Sequence, residues 1–214
     1  MSLTITLLNQ CSKPSGWLGR FNLWSMNRRH AKVTTWGLTH VSIHTRDTIL
    51  DVGWGGGMTV ARLAAQATGG KTYGIDYSEA SVAASRRTNR ASIADGRVEI
   101  LSGSVSHLPF PDQMFDLVTA VETHYYWPDL NADMRELQRV LKPGAALIII
   151  AEAYKGGKHD QMLRRLEELR GLMIYAHLTV SEHRELFSRA GYADVQVFEE
   201  YDKGWICAVG RRPG

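Results

Sequence analysis

A chain of 214 residues and 23.9 kDa has the length of one ordinary domain, able to bury roughly 70% of its unfolded surface without a disulfide or metal staple. Hydrophobic residues make up 44% and charged residues 22%, which excludes disordered, collagenous and coiled-coil classes. The balance of 25 basic against 22 acidic residues gives +3, and the arginine pairs at 28–29, 86–87, 164–165 and 211–212 are dispersed. Dispersed basic residues read as solvated surface, so a nucleic-acid partner is disfavoured. The longest apolar run, Ala145 to Ala151, is far short of the ~20 residues of a membrane span, so no membrane association is expected. Met1 to Leu8 lacks a basic start and a small-residue cleavage site, so no signal peptide is expected. Cys11 and Cys207 match no zinc or redox spacing. A cytoplasmic location without a metal follows as the expectation, and the oligomeric state stays open.

In chain order, Trp17 to Ile43 carries three of the six tryptophans among basic residues. This N-terminal helical arm, taken as 1–45, is expected to pack over the core, either as plain structure or as a lid. Over 46–152 short apolar runs alternate with helical ones: TILDVG then MTVARLAAQA, KTYGID then EASVAASRRTNRA, RVEIL, FDLVTAV then DLNADMRELQRVL, and AALIIIAE. Strands alternating with helices predict right-handed crossovers and a doubly wound, mostly parallel α/β sheet. Leu130, Met134, Leu137 and Leu141 form one helical stripe, Asp129 is its cap, and Pro143-Gly144 is expected to end it.

The segment 153–192 reads as a helical cap or lid, with one helix over 158–175 and a second opened by the capping box Thr179-Val-Ser-Glu182 and stopped at Gly191. Asp194 to Glu199 and Trp205 to Val209 read as strands joined by a short turn, so 193–214 is expected to close the sheet as an antiparallel hairpin. No linker or repeat divides the chain, and a single domain over 1–214 is expected.

Ile49 to Gly57 runs from an apolar strand into glycines at 53, 55 and 57, then into a helix. Glycine permits a sharp turn and a close ligand approach, although a tight strand-to-helix turn alone would use the same residues. A dinucleotide site would favour glycine at position 58, where this chain has Met58. Asp76 ends the next strand 19 residues after Gly57. There a carboxylate can accept both hydroxyls of an adenosine ribose, or it can cap the helix from Glu79.

Four blocks in order, LDVGWGGG, YGIDYSEAS, LPFPDQMFDLVTA and RELQRVLKPGA, resemble the class I S-adenosylmethionine-dependent methyltransferases, particularly the type 11 group. The resemblance covers residues 46 to 152. It implies a seven-stranded sheet with an antiparallel last strand and S-adenosylmethionine as cofactor. It further implies that Asp51, Gly53 and Gly55 line the methionine end, Asp76 holds the ribose and Tyr77 packs on the adenine, whose edge meets Ser104 and Val105. The chain departs from the family at Trp54, where a small residue is usual, and at Ser104, where Asp is common.

Glu122-Thr-His-Tyr-Tyr-Trp127 follows the fourth strand, and the corresponding loop of the resembled family faces the transferred methyl. Glu122 is a candidate partner for the cofactor's amino group. His124 is the candidate base because its ordinary pKa lies close to neutrality, with a polar rim residue as the plainer alternative. Tyr125, Tyr126, Tyr154 and His177 are candidates to read the acceptor. The expected reaction is methyl transfer to a small molecule; an RNA or protein acceptor, or a non-catalytic nucleotide-binding module, are the alternatives.

Overall fold

The computed structural model describes residues 30–53, 55–162, 164 and 177–214. The chain order is α1 (Ala31–Leu38), β1 (Thr48–Val52), α2 (Met58–Gln66), β2 (Lys71–Asp76), α3 (Glu79–Thr88), α4 (Arg90–Ala94), β3 (Val98–Ser102), β4 (Phe115–Val121), α5 (Leu130–Val140), β5 (Leu141–Ala151), α6 (Val180–Arg189), β6 (Ala193–Glu200) and β7 (Trp205–Arg211). One seven-stranded sheet has the order β3-β2-β1-β4-β5-β7-β6. β1 to β5 pair in parallel, while β7 runs antiparallel to both β5 and β6. The order reverses between β1 and β4, the place where an open α/β sheet leaves a crevice at its carboxyl ends.

Successive side chains of a strand point to opposite faces, and β5 shows how both faces are filled. Leu147 and Ile149 enter the core with Met134 and Leu137 of α5 and Phe187 of α6. Ile148 and Ile150 enter the opposite core with Val33 of α1 and Leu63 of α2. α1 and α2 therefore share one face of the sheet, and α5 and α6 the other. Trp36 of α1 packs 5.8 Å from Trp205 of β7, so the described part of the arm is integral structure. Trp17, Trp24 and Trp54 lie outside the described residues, as does most of the helix expected over 158–175.

Local signals explain most boundaries. Asp129 accepts from the backbone N–H groups of Asn131 and Ala132 and caps α5. Thr179 and Glu182 close the expected capping box on α6. One boundary is corrected. Pro143-Gly144 does not end α5, because that helix stops at Val140 and Leu141 already begins β5. The pair sits instead at a register shift, where Leu141 faces Phe115 but Ala146 already faces Leu117. The helix expected over 79–91 also divides at Asn89, into α3 and α4.

Candidate functional site

The site is built where β1 runs into α2. Gly53, Gly55 and Gly57 all have positive φ, at 70°, 54° and 82°, a region costly for residues with a Cβ. Space adds a second constraint at Gly53, where a Cβ would lie 1.9 Å from Thr123 Oγ1. The loop is held from behind by the end of α3: Thr88 Oγ1 donates to the Gly56 carbonyl at 2.9 Å and Asn89 Nδ2 to the Gly57 carbonyl at 3.0 Å.

Asp76 at the end of β2 is buried, yet it faces the crevice. Its Oδ1 accepts from the Ser78 N–H at 2.8 Å and its Oδ2 from the Gly55 N–H at 3.3 Å. Ser78, not Asp76, is the N-cap of α3. Burial raises the Asp76 pKa to about 6, opposed by those two N–H groups. Each oxygen keeps a lone pair beyond its backbone contact.

Glu122 follows β4 with φ 56°, a left-handed conformation that a non-glycine residue keeps only where its surroundings fix it. Its Oε1 accepts the Glu152 N–H, and the Tyr125 hydroxyl donates to Oε2 at 3.4 Å. These contacts join the ends of β4 and β5.

A cavity of about 380 Å³ runs along these strand ends. Of the residues singled out from sequence, Gly53, Gly55, Asp76, Tyr77, Ser104, Val105, Glu122 and Tyr126 line it. Sequence reasoning missed Thr59 and Arg62 of α2, Thr123, and two residues from the arm, His30 and Thr34. Thr59 and Arg62 were within reach, since helical spacing from the glycine loop aims that face of α2 at the crevice. His30 and Thr34 carry no such signal; tertiary packing of α1 alone brings them there.

The family described as "Methyltransferase domain" matches residues 50–149, the stretch that carries the glycine loop, Asp76, Ser104 and Glu122. Residues 50–149 are therefore a methyltransferase domain. Methyltransferase GfsG of Streptomyces halstedii is 35% identical over 112 residues, 52% of this chain and 40% of that protein. The methyltransferase YdaC of Bacillus subtilis is 27% identical over 190 residues, 88% of this chain and 96% of that protein. Among solved structures, a chain of the complex between the Haloferax volcanii Trm112 methyltransferase activator and a methyltransferase superposes with a TM-score of 0.79 at 23% identity, covering 92% of this chain and 96% of that one. That likeness establishes the fold.

Within this methyltransferase domain several expected site residues lie off the cavity wall. Asp51 is fully buried beneath it, accepts a 2.5 Å hydrogen bond from Thr119, and is pushed up to about pKa 8 by burial. It is therefore part of the floor, not of the lining. Tyr154 is buried away from the cavity and donates to Glu199 at 2.7 Å. The His177 ring lies 5.1 Å from that of Tyr125, tilted by 41°, and neither residue is among those lining the wall.

His124 is corrected as a base. The single turn His124–Tyr126 rotates its ring into the protein, where it packs 4.1 Å from Tyr125 and 5.5 Å from His183. Both ring nitrogens are buried without a hydrogen-bond partner among the described residues. Burial, followed by the neighbouring His183 and His177, holds His124 well below the usual imidazole range. A ring so placed is held in its neutral form and does not line the cavity.

Proposed function

We propose that this protein transfers a methyl group from S-adenosylmethionine to a small-molecule acceptor by in-line displacement. The observation that carries it is one continuous cavity reaching from Ser104 and Val105, past Asp76 and the glycine loop, to Glu122 and Tyr126. Its residues fit the cofactor. The Asp76 oxygens keep acceptor capacity where a ribose diol needs it, and Gly53 leaves no side chain between the loop and Thr123. Tyr77, 51% exposed at the rim, offers a ring to cover the adenine, with Ser104 and Val105 at its edge. Glu122 supplies the carboxylate that pairs with the donor's amino group.

Bound there, the cofactor supplies a methyl group on a sulfonium leaving group. The protein aligns the two reactants and excludes water, a contribution of ~7–11 kcal/mol to barrier lowering when reactants are well placed. Tyr126 and Trp127 line the cavity, and aromatic rings tolerate positive charge. A small acceptor fits better than RNA because Arg62 is the only lysine or arginine of the wall among the described residues, whereas phosphate backbones are held by several.

Thermal denaturation with S-adenosylhomocysteine and with NAD tests the cofactor, and only the former is expected to raise Tm. Equal shifts overturn the assignment. Incubating a cell extract with methyl-labelled S-adenosylmethionine tests the acceptor: label in the small-molecule fraction is expected, and label confined to RNA or protein overturns a small acceptor.

A further inference from the structure

We propose that Arg62 is the carboxylate anchor of the cofactor site, so that the cavity selects a ligand carrying an amino-acid carboxylate over the bare adenosyl thioether. The inference rests on the cofactor reading above and adds to it the one charge that reading leaves unmatched. The donor brings a ribose diol, an ammonium, a sulfonium and a carboxylate. Asp76 and Glu122 answer the diol and the cations. Both are anionic when ionised, and neither can hold a carboxylate.

Arg62 is the cation available for it. It lines the cavity, half-buried, and makes no hydrogen bond or ion pair with any described residue. No acidic residue precedes Asp47 in the sequence, so α1, which packs on this face of the sheet, brings no carboxylate of its own. His30, the neighbouring basic group in the wall, already faces Glu152 at 3.6 Å.

Position and direction agree with this role. Arg62 stands three residues after Thr59 on α2, hence on the same helix face, and both reach the wall. Helical side chains lean toward the helix N-terminus, which here is the glycine loop. The guanidinium is thereby directed back along α2 toward the methionine end of the site. A planar fork of N–H donors matches a carboxylate in two parallel bonds, and the Thr59 hydroxyl on the same face offers a further donor.

Calorimetric titration with S-adenosylhomocysteine and with methylthioadenosine, which lacks the amino-acid arm, separates the roles. The unaltered protein is expected to bind S-adenosylhomocysteine at least about tenfold more tightly. Arg62→Met, which keeps most of the stem, should erase most of that preference while leaving methylthioadenosine affinity within about twofold, and Arg62→Lys should fall between. Equal loss of both ligands marks a scaffold effect and overturns the assignment. Unchanged S-adenosylhomocysteine affinity with lost turnover moves Arg62 to the acceptor and also overturns it. The unaltered protein decides even if a variant fails to fold: absence of preference between the ligands refutes the anchor alone, whereas binding of neither refutes the cofactor reading and the anchor with it.

Discussion

Asn89 donates its side-chain amide to the Gly57 carbonyl at 3.0 Å and to the Ser85 carbonyl at 3.1 Å. The break between α3 and α4 thus holds the last residue of the glycine loop. The conformation of the loop is therefore a tertiary property as well as a consequence of its glycines, and the helix that follows β2 fixes the turn that follows β1.

Asn89→Leu keeps the volume and removes both side-chain bonds, while the Gly57 carbonyl keeps the Ala61 N–H and the Ser85 carbonyl keeps the backbone N–H of residue 89. A loss of about 1–3 kcal/mol in unfolding free energy is expected, with weaker S-adenosylhomocysteine binding in the folded fraction. Urea denaturation and calorimetry read the two effects. Unchanged stability would show that the loop holds itself.

The parallel core was legible because its signals are local: the continuous apolar run in β5, the capping box at Thr179, the cap at Asp129. Asp76 and Gly53 were legible as well, because a strand end beside a glycine loop fixes which backbone positions meet the crevice, whereas Ser104 followed only from the family resemblance. Side-chain direction after β4 was not legible. The turn at His124–Tyr126 decides which of five successive polar and aromatic residues face the cavity, with Glu122, Thr123 and Tyr126 in its wall and His124 and Tyr125 outside it. Residue type alone gives no hint of that rotation. Pro143-Gly144 misled for a related reason, since a helix-stopping pair also suits an irregularity at a strand's start.

Gly53→Ala should be among the most damaging single substitutions in the chain. The new methyl would sit 1.9 Å from Thr123 Oγ1 on a backbone with φ 70°. Left-handed backbone costs roughly 1–2 kcal/mol and overpacking typically about 1–3 more. Thr123→Ala in the same chain removes the Oγ1 contact but leaves the Cβ at 2.6 Å, so it should recover only part of the steric cost. A double variant no more stable than Gly53→Ala in thermal denaturation would mean the close approach is not the cause.

Acid should destabilise the fold through the buried imidazoles. His183 gives its Nδ1 to the Thr179 carbonyl at 2.8 Å, and burial lowers its pKa as it does that of His124. A histidine kept neutral in the native state takes up its proton on unfolding, near pH ~6.5. Stability from this source is therefore present above that pH and lost as pH falls below it. His124→Phe should flatten the fall between about pH 7 and 5 in a series of urea melts. An unchanged slope would assign the acid sensitivity to other groups.

Asp76 should control cofactor affinity, with a pH dependence opposite in sign to its effect on the free protein. Its folded pKa of about 6 lies above the ordinary aspartate value of about 3.9, so the native state holds the proton more tightly than the unfolded chain. The stability this contributes is full below the unfolded value and is lost as pH rises through about 6. Ligand binding runs the other way, because the ribose diol presents two donors and needs an ionised acceptor. With half-protonation at about pH 6, S-adenosylhomocysteine affinity should be nearly full at pH 7.5 and reduced up to about fourfold at pH 5.5. Hydrogen bonds to a charged group are worth roughly 1.5–3 kcal/mol net, so Asp76→Ala should weaken binding by about ten- to a hundredfold. Asp76→Asn retains the shape and one acceptor, so its loss should be smaller and its affinity nearly constant between these pH values. The helix cap predicts no such pattern, because Ser78 holds that position. Calorimetry at the two pH values, on the unaltered protein and on Asp76→Asn, reads the whole set, and equal pH dependence in both would remove Asp76 from the ribose.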